Sequence, residues 1–357
     1  MPFTAYYLDP QGNLNTRLRE EEVRSAFEAR RGVLWVDIGD TTEEDGRFLA
    51  RVFKFHELAI EDCVSVDIHP PKIDDYGEHL FITIHGIDYS TESDIVETAE
   101  LSMFLGPHYV VTNHNYPMHG VESLKKTVED NKTVLARGTD FLAHSLMDAV
   151  IESVMPTIDR MSEVVEEVEG QAIRKPQQVT LESALKLKRS AIRLHRVMVP
   201  QREVLNRLSR GEFPMVRQEA LIFYRDVYDS ILRIEDLNQV LMDRADNALS
   251  TYLSALAHRQ NEVMKILAIV TTVILPMTLL ASIYGMNFEN IPELKWSWGY
   301  YAVLGIMATV GLTALGLLWA RHWYSWGRKQ AARANLFKVR PDRMMEYVGH
   351  WTKKSSD

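Results

Sequence analysis

The sequence predicts an α+β membrane protein: an N-terminal cytoplasmic α/β domain, a long stalk helix, and two transmembrane helices near the C-terminus. Three observations carry this. Strand-like runs are confined to the region before Tyr116, and helical spacing fills the chain from there to Lys265. Beyond Lys265 lie two stretches without a formal charge, Ile266–Phe288 (23 residues) and Trp296–Ala320 (25 residues). A bilayer core takes about 20 residues of apolar helix, so each stretch is long enough to cross it.

In the first domain (1–120), "AYYL", "GVLWVDIG", "HLFITIHGID", "ELSMFLG" and "YVVTNHN" are short β-branched and aromatic runs bounded by Gly, Pro, Asn or Asp, the pattern of strands. Between the first two, "NTRLREEEVRSAFEARR" has helical spacing, and "EEDGRFLARVF" begins a second helix after the capping pair Thr41–Thr42. Mixed order with short loops predicts helices on both sides of one sheet.

The second region (121–262) reads as helices over 121–136, 139–170, 177–209 and 215–265, broken near Lys175–Pro176 and at "RGEFP". In the last of them Ala220, Tyr224, Val227, Ile231, Ile234, Leu241, Ala245, Ala248 and Tyr252 recur at alternating fours and threes, interrupted only by Asn238. A period near 3.5 suits a long helix packed along its length. No Gly or Pro lies between Met215 and Leu275, so the helix can run on into the first span.

The spans are placed at 263–287 and 297–321, joined by an extracytoplasmic loop, 288–296, and followed by a basic tail, 322–357. Trp296, Trp298, Tyr300 and Tyr301 open the second span, and Trp319, Trp323, Tyr324 and Trp326 close it, as an interfacial aromatic belt does. Arg259 and Lys265 precede the first span, and Arg321, Arg328, Lys329 and Arg333 follow the second. The positive-inside bias therefore puts both termini in the cytoplasm and the loop outside. The N-terminus lacks a basic stretch followed by an apolar one, so no signal peptide is expected. A net charge of −9 disfavours a nucleic-acid partner. The single cysteine, Cys63, excludes a disulfide framework or CxxC site.

No glycine-rich phosphate loop, GxSxG elbow or HExxH motif is present, and no enzyme is predicted. His108, His114 and His119 stand close together, but their spacing fits no zinc loop, and they are read as solvated turn side chains. The first span is more informative. Asn261, Met264, Ala268, Thr271, Leu275, Thr278 and Ser282 share one helix face, opposite a bulky face of Ile266, Ile269, Val270, Val273 and Leu280. Small and hydroxylated stripes serve helix packing in lipid as well as pore lining, and spacing alone leaves both open. Two spans cannot enclose a water path, so a pore requires several copies around an axis. The stripe then becomes rings, with Leu267 beside Met264 in an apolar gate, and Glu289 and Glu293 as an acidic rim that gathers cations.

"YGMNFENIPEL", Tyr284–Leu294, resembles the signature of CorA-type magnesium transporters: Gly-Met-Asn closing the first of two C-terminal spans, then an acidic Pro-Glu-Leu loop. "ALAHRQNEVMKILAIVTTVILPMTLLASIYGMN" looks like the family's first span and its lead-in. "FYRDVYDSI" is similar to part of the stalk helix, and "AIEDCVSVDIHPPKIDDYGEHLFI" to part of the N-terminal domain, so the resemblance covers most of residues 30 to 324. It implies a homopentameric funnel in the cell (inner) membrane, contacting lipid, with each first-span helix lining a central pore. Divalent cations are its partners, with Mg²⁺ as transported ion and regulatory ligand and no organic cofactor. Gly285, Met286 and Asn287 fall on the selectivity mouth, and Asn261, Met264, Leu267, Leu275 and Thr278 on the pore wall and gate. Mg²⁺ gives up its water reluctantly, and a mouth of neutral oxygens can hold it hydrated.

The family also carries an acidic magnesium sensor between its cytoplasmic domains. Asp226 matches one half of it. The partner position falls on Ser90, with Asp88 and Asp94 the nearest acids, and a second stalk acid is replaced by Ser250. The tail beyond Trp326 is longer than is usual in the family. Two alternatives to a magnesium channel are a proton-coupled zinc transporter of the same superfamily and a membrane-anchored protein that transports nothing.

Overall fold

The computed structural model describes residues 3–65, 67–90, 95–174, 176–286 and 296–336, and it divides into two compact units, Met1–Leu256 and Ala257–Asp357. In chain order the first unit contains β1 (Phe3–Leu8), β2 (Leu14–Asn15), α1 (Glu20–Ala29), β3 (Val33–Gly39), α2 (Glu43–Val52), α3 (Glu57–Val64), β4 (Lys72–Asp75), β5 (Leu80–Ser90), β6 (Ile95–Leu105) and β7 (Tyr109–His114). There follow α4 (His119–Asp130), α5 (Thr133–Ala136), α6 (Thr139–Glu152), α7 (Met155–Arg174), α8 (Gln178–Ser209) and α9 (Leu221–Tyr284), which continues into the second unit, where α10 spans Gly299–Leu336.

The strands make one seven-stranded sheet in the order β2-β1-β3-β7-β6-β5-β4. Only β3 and β7 pair in parallel; the other pairs are antiparallel. Side chains alternate between faces along each strand, and the alternation divides the core in two. Trp35, Leu80, Ile82, Ile84, Leu101, Met103 and Val110 pack under α4, α6, α8 and the first half of α9. Leu34, Val36, Ile38, Phe81, Phe104 and Val111 pack against α1, α2 and α3. Helices therefore cover both faces, as the mixed pattern predicts.

Several local expectations need correction. β2 and β4 were not predicted, because β2 has two residues and β4, Lys-Ile-Asp-Asp, carries three charges in four positions. The short helix α3 also escaped the pattern. Helix 139–170 is two helices, α6 and α7, with the break at Ser153–Val154 just before Pro156, whose ring cannot sit deeper in a helix. Helix 121–136 is likewise interrupted, at Asn131–Lys132. The final helix begins at Leu221, not 215, since 213–220 form turns.

α9 runs unbroken for 64 residues. Its predicted seam is buried from Tyr224 to Tyr252, and Asn238 sits inside that seam with its amide donating to the Ala191 carbonyl of α8 at 3.0 Å. The polar interruption thus ties two helices together.

Candidate ion path and regulatory site

Among the described residues, two helices are long and apolar enough to cross a membrane: α9 and α10 over Gly299–Leu317. Beyond Ala257, the partly buried positions of α9 are Ile269, Val273, Pro276, Met277, Leu280 and Tyr284. Among the described residues of α10 they are Val303, Met307, Val310 and Ala314, with Gly299 and Gly311 buried. The two stripes meet at Gly311, where an added Cβ would stand 3.4 Å from the Met277 sulfur. The side of α9 that serves the hairpin is therefore the bulky one.

The hydroxyl stripe is left free of its own chain. Asn261, Met264, Ala268, Thr271, Leu275, Thr278 and Ser282 are all exposed, as is Leu267. Thr271 Oγ1 donates to the Leu267 carbonyl at 2.8 Å, and Thr278 Oγ1 to that of Ile274 at 2.9 Å. With their protons committed to the backbone, these hydroxyls present only lone pairs outward. Water bound to a cation points its oxygen inward and its hydrogens outward, so acceptor-only surfaces suit a hydrated cation.

The helix closes at Gly285, whose N–H donates to the Ala281 carbonyl at 3.0 Å. A Cβ at Gly285 would lie 3.1 Å from that same oxygen, so a side chain there would press on the last turn. Met286 follows, exposed. Asn287, Glu289 and Glu293 lie outside the described residues.

Asp226 is exposed on α9. Facing it from α6 is a carboxylate the sequence reading did not single out. Asp148 is half-buried, and burial together with the charge of Asp226 pushes its carboxyl above the usual range. His144, one turn earlier, is held below the ordinary imidazole value, mainly by burial, although Asp226 pulls the other way. Among the described residues no group of three or more His, Cys, Asp or Glu side chains is arranged to hold a metal within one chain. The side chains of Asp88 and Asp94 lie outside the described set.

The CorA-like Mg²⁺ transporter family matches residues 30–322. The chain belongs to that family. It is 28% identical over 295 residues to the cobalt/magnesium transport protein CorA of Thermotoga maritima, covering 81% of this chain and 83% of that protein. It is also 21% identical over 324 residues to the zinc transport protein ZntB of Yersinia pseudotuberculosis, covering 89% of this chain and 95% of that one. The complete structure of the CorA magnesium transporter from Methanocaldococcus jannaschii superposes with a TM-score of 0.77 at 19% identity, over 89% of this chain and 97% of that one. The α/β domain, long helix and pair of apolar C-terminal helices are therefore the CorA fold.

Within that fold, the histidines of "PHYVVTNHNYPMH" divide three ways. His119 is exposed at the start of α4. His108 is half-buried beside Phe27, its Nε2 3.0 Å from the Phe27 carbonyl. His114 is no turn residue: it ends β7, and it is buried. β7 is buried along its whole length, Tyr109–His114, so membership of that strand was the available signal.

Proposed function

We propose that this CorA-family chain is a magnesium channel: several copies, five by family resemblance, surround a central pore and let Mg²⁺, and with it Co²⁺ or Ni²⁺, into the cell. The observation that carries this is the free hydroxyl stripe. The hairpin contact uses the opposite face of α9, so Asn261, Met264, Thr271, Leu275, Thr278 and Ser282 remain available to face an axis. Around such an axis Thr271, Thr278 and Ser282 become rings of acceptors for a hydrated cation, while Met264, Leu267 and Leu275 become apolar constrictions that close by dewetting. No carboxylate lies between Glu262 and Glu289, so nothing along the path binds the ion too tightly to leave. Gly285, Met286 and Asn287 form the outer mouth, and Glu289 and Glu293 raise the local cation concentration. The span at 263–287, the span at 297–321 and cytoplasmic termini in the inner membrane complete the arrangement.

Asn287→Ala in proteoliposomes loses most Mg²⁺ uptake; uptake at the wild-type rate would remove the mouth from the proposal. For regulation, Asp226 and Asp148 supply the acidic pair that a cytoplasmic Mg²⁺ would occupy, easing the Asp226 repulsion that adds to burial in raising the Asp148 carboxyl. Either Asp226→Ala or Asp148→Asn then loosens closure at millimolar Mg²⁺, read as lost magnesium protection against proteolysis. Unchanged protection in both variants would rule out a sensor at this pair.

The likeness to ZntB supports a second reading, proton-coupled zinc transport. Uptake of Zn²⁺ against Mg²⁺, with and without a pH gradient, separates the two. A hairpin that is only an anchor gives flux of neither ion.

A further inference from the structure

We propose that His114, Asp37 and Lys125 form a proton-operated latch that fastens the β7–α4 corner to the end of β3. The latch is independent of the metal chemistry above. His114 ends β7 opposite Gly39 of β3. Gly39 makes room for it: a Cβ there would stand 3.4 Å from the imidazole Cε1. The ring is 5% exposed.

Both ring nitrogens face oxygens that can only accept. Nδ1 is 2.8 Å from the Tyr116 carbonyl, and Nε2 is 3.3 Å from Asp37 Oδ2. A neutral imidazole has one N–H and one lone pair, so it would set a lone pair against one of these oxygens. Only the imidazolium donates to both.

The surrounding charges fit that cation. Asp37 is 1% exposed and also takes the Thr112 hydroxyl at 2.5 Å and the Lys125 ammonium at 2.7 Å. Lys125 in turn reaches Glu122 at 2.6 Å. From the other elements, β1 brings Thr4 opposite Asp37, and Tyr6, whose hydroxyl donates to Glu129 of α4 at 3.1 Å. β6 brings the apolar Leu101, and the turn after β3 brings Asp40. With His114 protonated, its two N–H groups and the Lys125 ammonium all answer acceptors, Asp37 between them and Glu122 at the exposed edge; without that proton one buried ring lone pair faces an oxygen, a costly arrangement. A cavity of about 190 Å³ beside the cluster, walled in part by Asp37, Asp40, His114 and Pro117, gives the proton a way out.

Burial by itself would lower the pKa of His114, but the bond and charge of Asp37 outweigh it, and the net direction is up. Burial would raise that of Asp37, and His114 with Lys125 turns it down. A histidine whose folded pKa is raised stabilises the fold fully below its unfolded value, about 6.5. That contribution disappears as pH rises through the folded value. What loosens is local, because Val121, Leu124 and Val128 keep α4 on the sheet through apolar contacts that do not titrate.

Hydrogen exchange of the full-length protein in nanodiscs, corrected for intrinsic rates between pH 6 and 9, reads the latch at residues 114–122. Protection is expected to hold below about pH 6.5, to fall by up to about tenfold per unit between there and the folded pKa, and to level off above it. Asp37→Asn moves the transition to lower pH, and His114→Gln removes it while leaving protection elsewhere in the first unit unchanged. A wild-type profile without a transition at 114–122 overturns the latch, even if neither variant folds. A transition that survives in His114→Gln overturns it as well.

Discussion

The two halves of α9 put one helical period to different uses. From Tyr224 to Tyr252 the seam is buried against α7 and α8 of the same chain, with Tyr224 donating its hydroxyl to the Asp140 carbonyl and Asn238 its amide N–H to that of Ala191. From Asn261 to Ser282 the stripe is exposed, with hydroxyls at Thr271, Thr278 and Ser282. The first half is committed to a fold. The second is held out of the hairpin contact. A continuous helix can thus be core along one stretch and surface along the next, and burial separates the two where spacing alone does not.

The largest expected effect tests the contrast directly. Ile231→Ala, in the buried half, costs about 2–5 kcal/mol as a large-to-small core change, seen as a lowered thermal midpoint. Leu275→Ala, in the exposed half, stays within about 0.5 kcal/mol but widens a gate ring and raises cation leak in liposomes. Equal destabilisation by both would erase the distinction. Next is Gly311→Leu, which drives a side chain into Met277 and costs about 1–3 kcal/mol through overpacking; an unchanged midpoint would mean the two spans do not meet there. The smallest effect on stability is that of Thr278→Val, which keeps the shape, removes the acceptor and stays within about 0.5 kcal/mol. Its signature is a severalfold loss of Mg²⁺ uptake, with Thr278→Ser restoring the rate. Wild-type uptake in Thr278→Val would show that the hydroxyl has no part in conduction.

How much of this was legible in the sequence depends on how each element is stabilised. The spans could be read because a charge-free run of this length has one solvent that suits it. The strands of the central sheet could be read because β-branched and aromatic side chains fill both of its faces. β4 could not: it is an edge strand, and Lys72, Asp74 and Asp75 give it the composition of a loop. Of the candidate site, the stripe residues could be named but not assigned, since packing and lining use the same small and hydroxylated residues. The structure shows only that the contact with α10 uses Met277 and its neighbours and not the stripe. Asp148 was invisible because its meaning depends on Asp226, 78 positions away on another helix. His114 was misread for a related reason: its partners Asp37 and Lys125 come from a parallel strand and a helix, and local spacing carries no trace of them.

The unbroken length of α9 has a mechanical consequence. At 1.5 Å per residue its 64 residues make a rod about 96 Å long. Pro276, eight residues from the C-terminal end, withholds an N–H from the Thr272 carbonyl and is the natural point of give. The apolar stretch of α9 thus carries a compliant joint set between Thr271 and Thr278.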